Sequence, residues 1–180
     1  MFKHCFMATL IGLLLVACAQ KQNTIQPVTL QKSCQTPIIA YQLENIKIGE
    51  FNDLQIPKKQ VLSLIENALQ NSGCFIKAKQ NTPNIYILES IYGSINQQAK
   101  QGGFWKSTSH NTAIIEVLLA FSNDKETRYY KSKASFKNTT DKFLGIGNDS
   151  NLNPPHIQLA LNNAIYSAIN QATQDFIKQK

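Results

Sequence analysis

The spacing of apolar positions changes several times along this chain. Phe6–Ala17 is an almost unbroken apolar run, and Ala19–Thr36 is polar with no steady period. Pro37–Ile48 (PIIAYQLENIKI) mixes β-branched and aromatic residues with partial alternation and predicts a strand. Pro57 opens a helix whose Val61, Leu62, Ile65, Ala68 and Leu69 form one apolar stripe, with Gly73 at a natural stop. Cys74–Ala78 is a short strand candidate. Ile85–Ile95, Thr112–Ser122 and Thr127–Lys137 alternate as strands, with a polar turn at Asn123–Glu126. Asn153 caps and Pro154 starts a second helix, with Ile157, Leu161, Ala164, Ile165, Ala168, Ile169, Ala172 and Phe176 on its apolar face. Asn162, Asn163, Asn170, Gln171 and Gln174 make its wet face.

This order, β-α-β-β-β-β-α, predicts an α+β domain over residues 37–180. The expected sheet is mainly antiparallel and built on a three-strand meander, with both helices on one face. The chain has 180 residues, a length for one domain. Its charged fraction, 16%, is low, and Asn, Gln, Ser and Thr carry the polarity. Collagen-like, coiled-coil, cysteine-scaffold and polytopic membrane classes are excluded.

The apolar start is an address. Lys3 gives a positive beginning, and about a dozen apolar residues suit a secretory h-region and are too few to span a bilayer. The run ends in Leu15-Val16-Ala17-Cys18, which resembles the lipobox of bacterial lipoproteins. That resemblance implies removal of residues 1–17 and attachment of diacylglycerol to the Cys18 thiol. Residues 18–36 then read as a lipidated N-terminus and flexible tether. Ala19 follows the cysteine where an Asp, in Gram-negative lipoproteins, favours inner-membrane retention, so the resemblance implies the outer membrane, facing the periplasm. Loss of Lys3 leaves 17 basic against 11 acidic residues, a net charge of +6.

Cys34 and Cys74 remain as an even pair in an oxidising compartment. A disulfide between them would close a loop of about 40 residues and contribute roughly 4 kcal/mol by chain entropy. The alternative is two separate buried thiols.

The densest charge lies on the third long strand, where alternation puts Lys131, Lys133 and Lys137 on one side. One reading is a solvated face that discourages edge pairing. The other is contact with an anionic envelope component. Nucleic acid is not an expected partner in this compartment. Gln101–Lys106 holds Phe104 and the single Trp, Trp105, after two glycines, in a connection of about sixteen residues. These aromatics either anchor a partner or membrane contact, or fold back as a lid on the core.

Catalytic patterns are missing from the sequence. His110 and His156 have no Cys or acidic partner at metal-ligand spacing, and no HExxH, GxSxG or P-loop occurs. The expectation is a non-enzymatic protein without metal or cofactor.

The segments NTIQPVTL, VLSLIENALQNSGCFI, ESIYGSINQQ, TAIIEVLLAFSNDKETRYYKSKASF and AIYSAINQATQDFIKQ resemble the YajG-type lipoproteins of Gram-negative bacteria. The resemblance spans most of the mature chain and brings no catalytic motif. The element order is also similar to that of other envelope lipoproteins: the small subunit of the lipopolysaccharide-assembly translocon, curli-assembly lipoproteins, peptidoglycan-synthase activators and auxiliaries of lipid-transport ABC systems. These likenesses imply a binding or adaptor module in envelope assembly or maintenance. The alternative is an accessory in lipid or lipopolysaccharide transport.

Overall fold

A computed structural model describes residues 25–79 and 82–179. The predicted signal peptide (1–17), the lipidation position Cys18 and the first part of the predicted tether lie outside the described residues.

Seven elements follow in order: β1 (Ile39–Asn52), α1 (Lys58–Ser72), β2 (Phe75–Lys77), β3 (Tyr86–Gly102), β4 (Lys106–Ser122), β5 (Thr127–Phe143) and α2 (Pro154–Lys178). The strands form one sheet in the order β2-β1-β3-β4-β5. This corrects the expected mainly antiparallel sheet. β1 pairs in parallel with both β2 and β3, and only β3-β4-β5 are antiparallel. The result is a mixed five-stranded half-barrel with two helices. The physical reason lies in the connections. α1 carries the chain from β1 to β2, and such a crossover returns a strand parallel to its predecessor.

Alternation along the strands decides the two sides of the sheet. Leu88 and Tyr92 of β3, Ile115, Val117, Leu119 and Phe121 of β4, and Tyr130 of β5 are buried on one side. They meet Val61, Ile65 and Leu69 of α1 and Leu161, Ile165, Ile169 and Phe176 of α2 in one continuous core. The caps are as the sequence predicts. The Asn153 side chain accepts from the His156 amide at 3.3 Å, and Gly73 ends α1 in the left-handed region.

Beyond the helices, β3, β4 and β5 continue together as a long three-stranded arm, with β3 and β4 paired from Ile87–Ser122 out to Gly102–Ser107 and β5 following β4 out to Lys106–Phe143. The connection of about sixteen residues expected around Phe104 is therefore a tight hairpin. Apart from Phe104 and Trp105 at its turn, Asn96–Thr112 is almost wholly polar, and no helix among the described residues covers it, so it carries no apolar alternation to read.

The sequence predicts a flexible tether over residues 18–36, but from Ile25 the chain is fastened to α2. Asn163 Oδ1 accepts from the Val28 amide at 2.7 Å, and its Nδ2 donates to the Gln26 carbonyl at 3.0 Å. Asn170 repeats the pattern, with its Oδ1 on the Gln31 amide and its Nδ2 on the Thr29 carbonyl. Two side-chain amides thus play the part of a neighbouring strand. Ile25 and Leu30 pack on the core beneath. The strap ends at Cys34, which is disulfide-bonded to Cys74 with 5.0 Å between the Cα atoms.

Candidate functional site

The half-barrel has a side that no helix among the described residues covers. β3 contributes Ile91, Gly93 and Ile95 to it, β4 contributes Ile114, Glu116 and Leu118, and β5 contributes Lys131. Together with Phe51 they line a groove of about 370 Å³, within the usual size of ligand sites. The groove exists because β1 breaks register between Ile48 and Asn52, and its end crosses over Gly93. A Cβ at position 93 would come within 3.1 Å of the Phe51 carbonyl oxygen, so a glycine lets the two backbones approach. Phe51 and Ile91 are exposed there, an apolar floor left open on a folded domain.

The lysines predicted for anionic contact share this side but are not a bare positive field. Glu116 sits between Lys131 at 3.1 Å and Lys133 at 3.4 Å. The hydrogen bond from the Lys131 ammonium, aided by Lys133, holds the Glu116 carboxyl below the usual carboxylate range. Lys137 is exposed further along β5. Next to the groove, Lys47 and Glu89 pair at 3.3 Å. Lys131 and Lys133 are therefore both paired with a carboxylate, and Glu50 adds a second carboxylate to the groove lining.

Phe104 and Trp105 lie elsewhere, at the far tip of the β3–β4 arm. They are 73% and 71% exposed, so they are not a lid on the core. The residues beside them went unrecognised in the sequence. Phe143 is 64% and Ile146 79% exposed, and Leu144 is exposed as well. A tight turn joins these three. The Phe143 amide donates to the Ile146 carbonyl and the Ile146 amide to the Phe143 carbonyl, with positive φ at Leu144 and Gly145. The Leu144 amide then donates to the Trp105 carbonyl at 3.1 Å, locking the two turns side by side. Gly102, at φ 104°, closes the hairpin, and a Cβ there would lie 2.8 Å from the Ser107 Cα. The available signal was apolar residues inside a stretch otherwise rich in Asn, Asp and Gly.

His110 Nδ1 is 3.0 Å from the Thr139 hydroxyl, and His156 stacks on Phe136 at 4.1 Å between ring centroids. Among the described residues, no group of three or more His, Cys, Asp or Glu is placed to hold a metal ion. A polar network joins Arg128, Glu126, Asp175, Tyr86 and Tyr130 at the other end of the sheet. It ties α2 to β5, with the Arg128 guanidinium over the Phe176 ring at 4.7 Å. No helix among the described residues is long and apolar enough to cross a membrane.

No protein-family model matches the chain, nor does any curated protein. Several solved structures are similar. A neuraminyllactose-binding hemagglutinin homologue from Helicobacter pylori aligns at 10% identity over 88% of this chain and 95% of its own, with a TM-score of 0.45. A hypothetical protein from Chlamydia trachomatis aligns at 10% identity over 79% of this chain and 100% of its own, with a TM-score of 0.40. Rare lipoprotein B from Shewanella oneidensis aligns at 11% identity over 78% of this chain and 95% of its own, with a TM-score of 0.33. Likeness at this level carries no argument about what the chain binds or does.

Proposed function

We propose that this protein is a non-enzymatic, lipid-anchored binding module of the cell envelope, facing the periplasm from the outer membrane. Its open sheet face receives a protein partner in envelope assembly or maintenance. The open groove of Phe51, Ile91, Ile114 and Leu118 carries this reading. It offers apolar area with a polar rim of paired lysines and carboxylates, the make-up of a protein interface centre and its edge. The lipobox-like Leu15–Cys18 and the YajG-type echoes in the sequence support the envelope setting, and the Cys34–Cys74 disulfide fits an oxidising compartment.

A second reading, an accessory in lipid or lipopolysaccharide transport, draws on the same groove with Lys131 at its mouth. It is weakened by Glu116. A lipid phosphate would have to displace this carboxylate from both lysines before meeting an uncompensated charge.

A photoreactive phenylalanine at Ile114, on the groove floor, tests the proposal in intact cells, with Lys59 on α1 as the control position. The expected outcome is one defined envelope protein captured from position 114 and not from 59. That adduct should disappear with Leu118→Lys, which charges the groove without touching the core. Equal labelling from both positions, or adducts with lipid alone, would overturn the protein-partner reading.

A further inference from the structure

We propose that the tip of the β3–β4 arm inserts into the lipid bilayer as a second membrane contact beside the acyl anchor. The inference rests on the reading that Cys18 is acylated. It adds the site, its residues and the orientation in which the domain is held.

Three observations carry it. The first is the tip itself. Phe104, Trp105, Phe143 and Ile146 are each more than three-fifths exposed, and Leu144 lies among them. Backbone hydrogen bonds lock the two turns that present them, so the cluster is preformed and cannot retreat into the core. Phe104 and Trp105 stack edge to face at 5.8 Å, giving one contiguous apolar cap. Such a cap in water costs free energy unless it is covered. Trp at the boundary of apolar and polar layers is the usual membrane-interface residue. Lys106, opposite Phe143 in the register, is exposed beside the cap and suits anionic headgroups.

The second observation is where the chain leaves the described structure. The strap runs along α2 in the same direction as the helix, meeting Asn163 first, then Asn170, then Gln174. Traced backward from Gln31 to Gln26, the described strap therefore heads toward the N-terminal end of α2. That end lies at the level of Phe136, through the Phe136–His156 stack, and the arm projects beyond it. The tip and the start of the described strap thus face the same end of the domain.

The third is reach. From Phe136 to Phe143 the arm rises about 23 Å at roughly 3.3 Å per residue. Gln26, held by Asn163, lies about 10 Å further back, at 1.5 Å per helical residue from His156. A tip sunk about 5–10 Å into the interface leaves roughly 25 Å between Gln26 and the membrane surface. The chain from Cys18 to Gln26 can span up to about 28 Å. An acyl group in the bilayer and a buried tip are therefore compatible. In that orientation the open sheet face stands clear of the membrane along the side of the molecule.

Trp105 is the single Trp of the chain, so its fluorescence reads the tip alone. The test reconstitutes the full-length protein, as purified from membranes, into phosphatidylethanolamine–phosphatidylglycerol vesicles, with or without bromines in the upper acyl chain. The expected result is blue-shifted emission and about twofold or greater quenching by brominated lipid, matching shallow insertion. Phe104→Ser combined with Ile146→Ser, both exposed positions that keep Trp105, should remove most of the quenching without loss of folding. Emission typical of indole in water, with no quenching beyond that of a soluble tryptophan amide, would overturn the proposal. The mass of the N-terminal peptide of the same sample reports acylation separately. Acylated protein without quenching refutes the tip while leaving the anchor intact. Quenching in unacylated protein supports the tip and refutes the anchor.

Discussion

Replacing Asn163 by alanine tests whether two amide side chains hold the N-terminal strap to the domain. Asn163 is buried on α2, and its amide makes both a 2.7 Å bond to the Val28 amide and a 3.0 Å bond to the Gln26 carbonyl. Asn163→Ala removes both and leaves a strap donor and acceptor unpaired in a partly buried position. At about 0.5–1.5 kcal/mol net per bond, the loss should be about 1–3 kcal/mol. For a domain of this size that is a fall in Tm of roughly 4–8 °C for a 2 kcal/mol effect. Asn170→Ala should cost less, because its bonds to Gln31 and Thr29 are exposed to water. Gln171→Ala, at an exposed neighbouring position, is the control and should cost almost nothing. Urea unfolding measures the stabilities, and hydrogen exchange at the Val28 amide reads the strap locally. In Asn163→Ala that amide should exchange much faster, while core amides slow or quicken only with global stability. Equal losses in Asn163→Ala and Gln171→Ala, with Val28 protection unchanged, would refute the reasoning.

Three further outcomes are expected. Cys34→Ser should lower stability by about 2–4 kcal/mol in urea, since the disulfide closes a loop of about 40 residues; loss within error would mean that the bond constrains little. Trp105→Ala should change stability by no more than about 0.5 kcal/mol, because the side chain is 71% exposed. A loss of several kcal/mol would make the tip part of the core. Asp175 has its carboxyl held below the usual range by the Tyr130 hydroxyl and then by Arg128. A depressed folded pKa stabilises above the unfolded value and is lost as pH falls through the folded one. Wild-type stability should therefore drop more steeply below about pH 4 than that of Asp175→Asn. Parallel pH profiles would contradict this.

Both helices, their caps and the core-facing halves of β3, β4 and β5 are legible in the sequence because each buries one face. Their periods of 3.6 and 2 follow from that burial. What escapes reading depends on neighbours. Alternation in β1 is the same whether its partners run parallel or antiparallel, so the mixed sheet is invisible until α1 is seen to carry the crossover. Apart from its tip, the outer arm is almost wholly polar and reads as a loop. The strap has no period because Asn163 and Asn170 bond its backbone, and those amides look like a wet helix face. Their seven-residue spacing on one helix stripe was the available sign. At the candidate site, Phe104 and Trp105 were visible as aromatics after two glycines, but Phe143, Leu144 and Ile146 join them only through the turn at 143–146. The groove was not visible, because its wall is a register break in β1 over Gly93. The lysines were visible, whereas their pairing with Glu116 is a cross-strand fact.

The envelope reading depends most on Cys18. The direct measurement is the mass of the N-terminal peptide from the protein in fractionated membranes, compared with Cys18→Ser. The account predicts a chain that begins at Cys18, carries a diacylglycerol-type modification and sediments with the outer membrane. Cys18→Ser should be unmodified and should leave that fraction. An N-terminus that retains residues 1–17, or an unmodified Cys18 in a protein that still fractionates with the outer membrane, would contradict it.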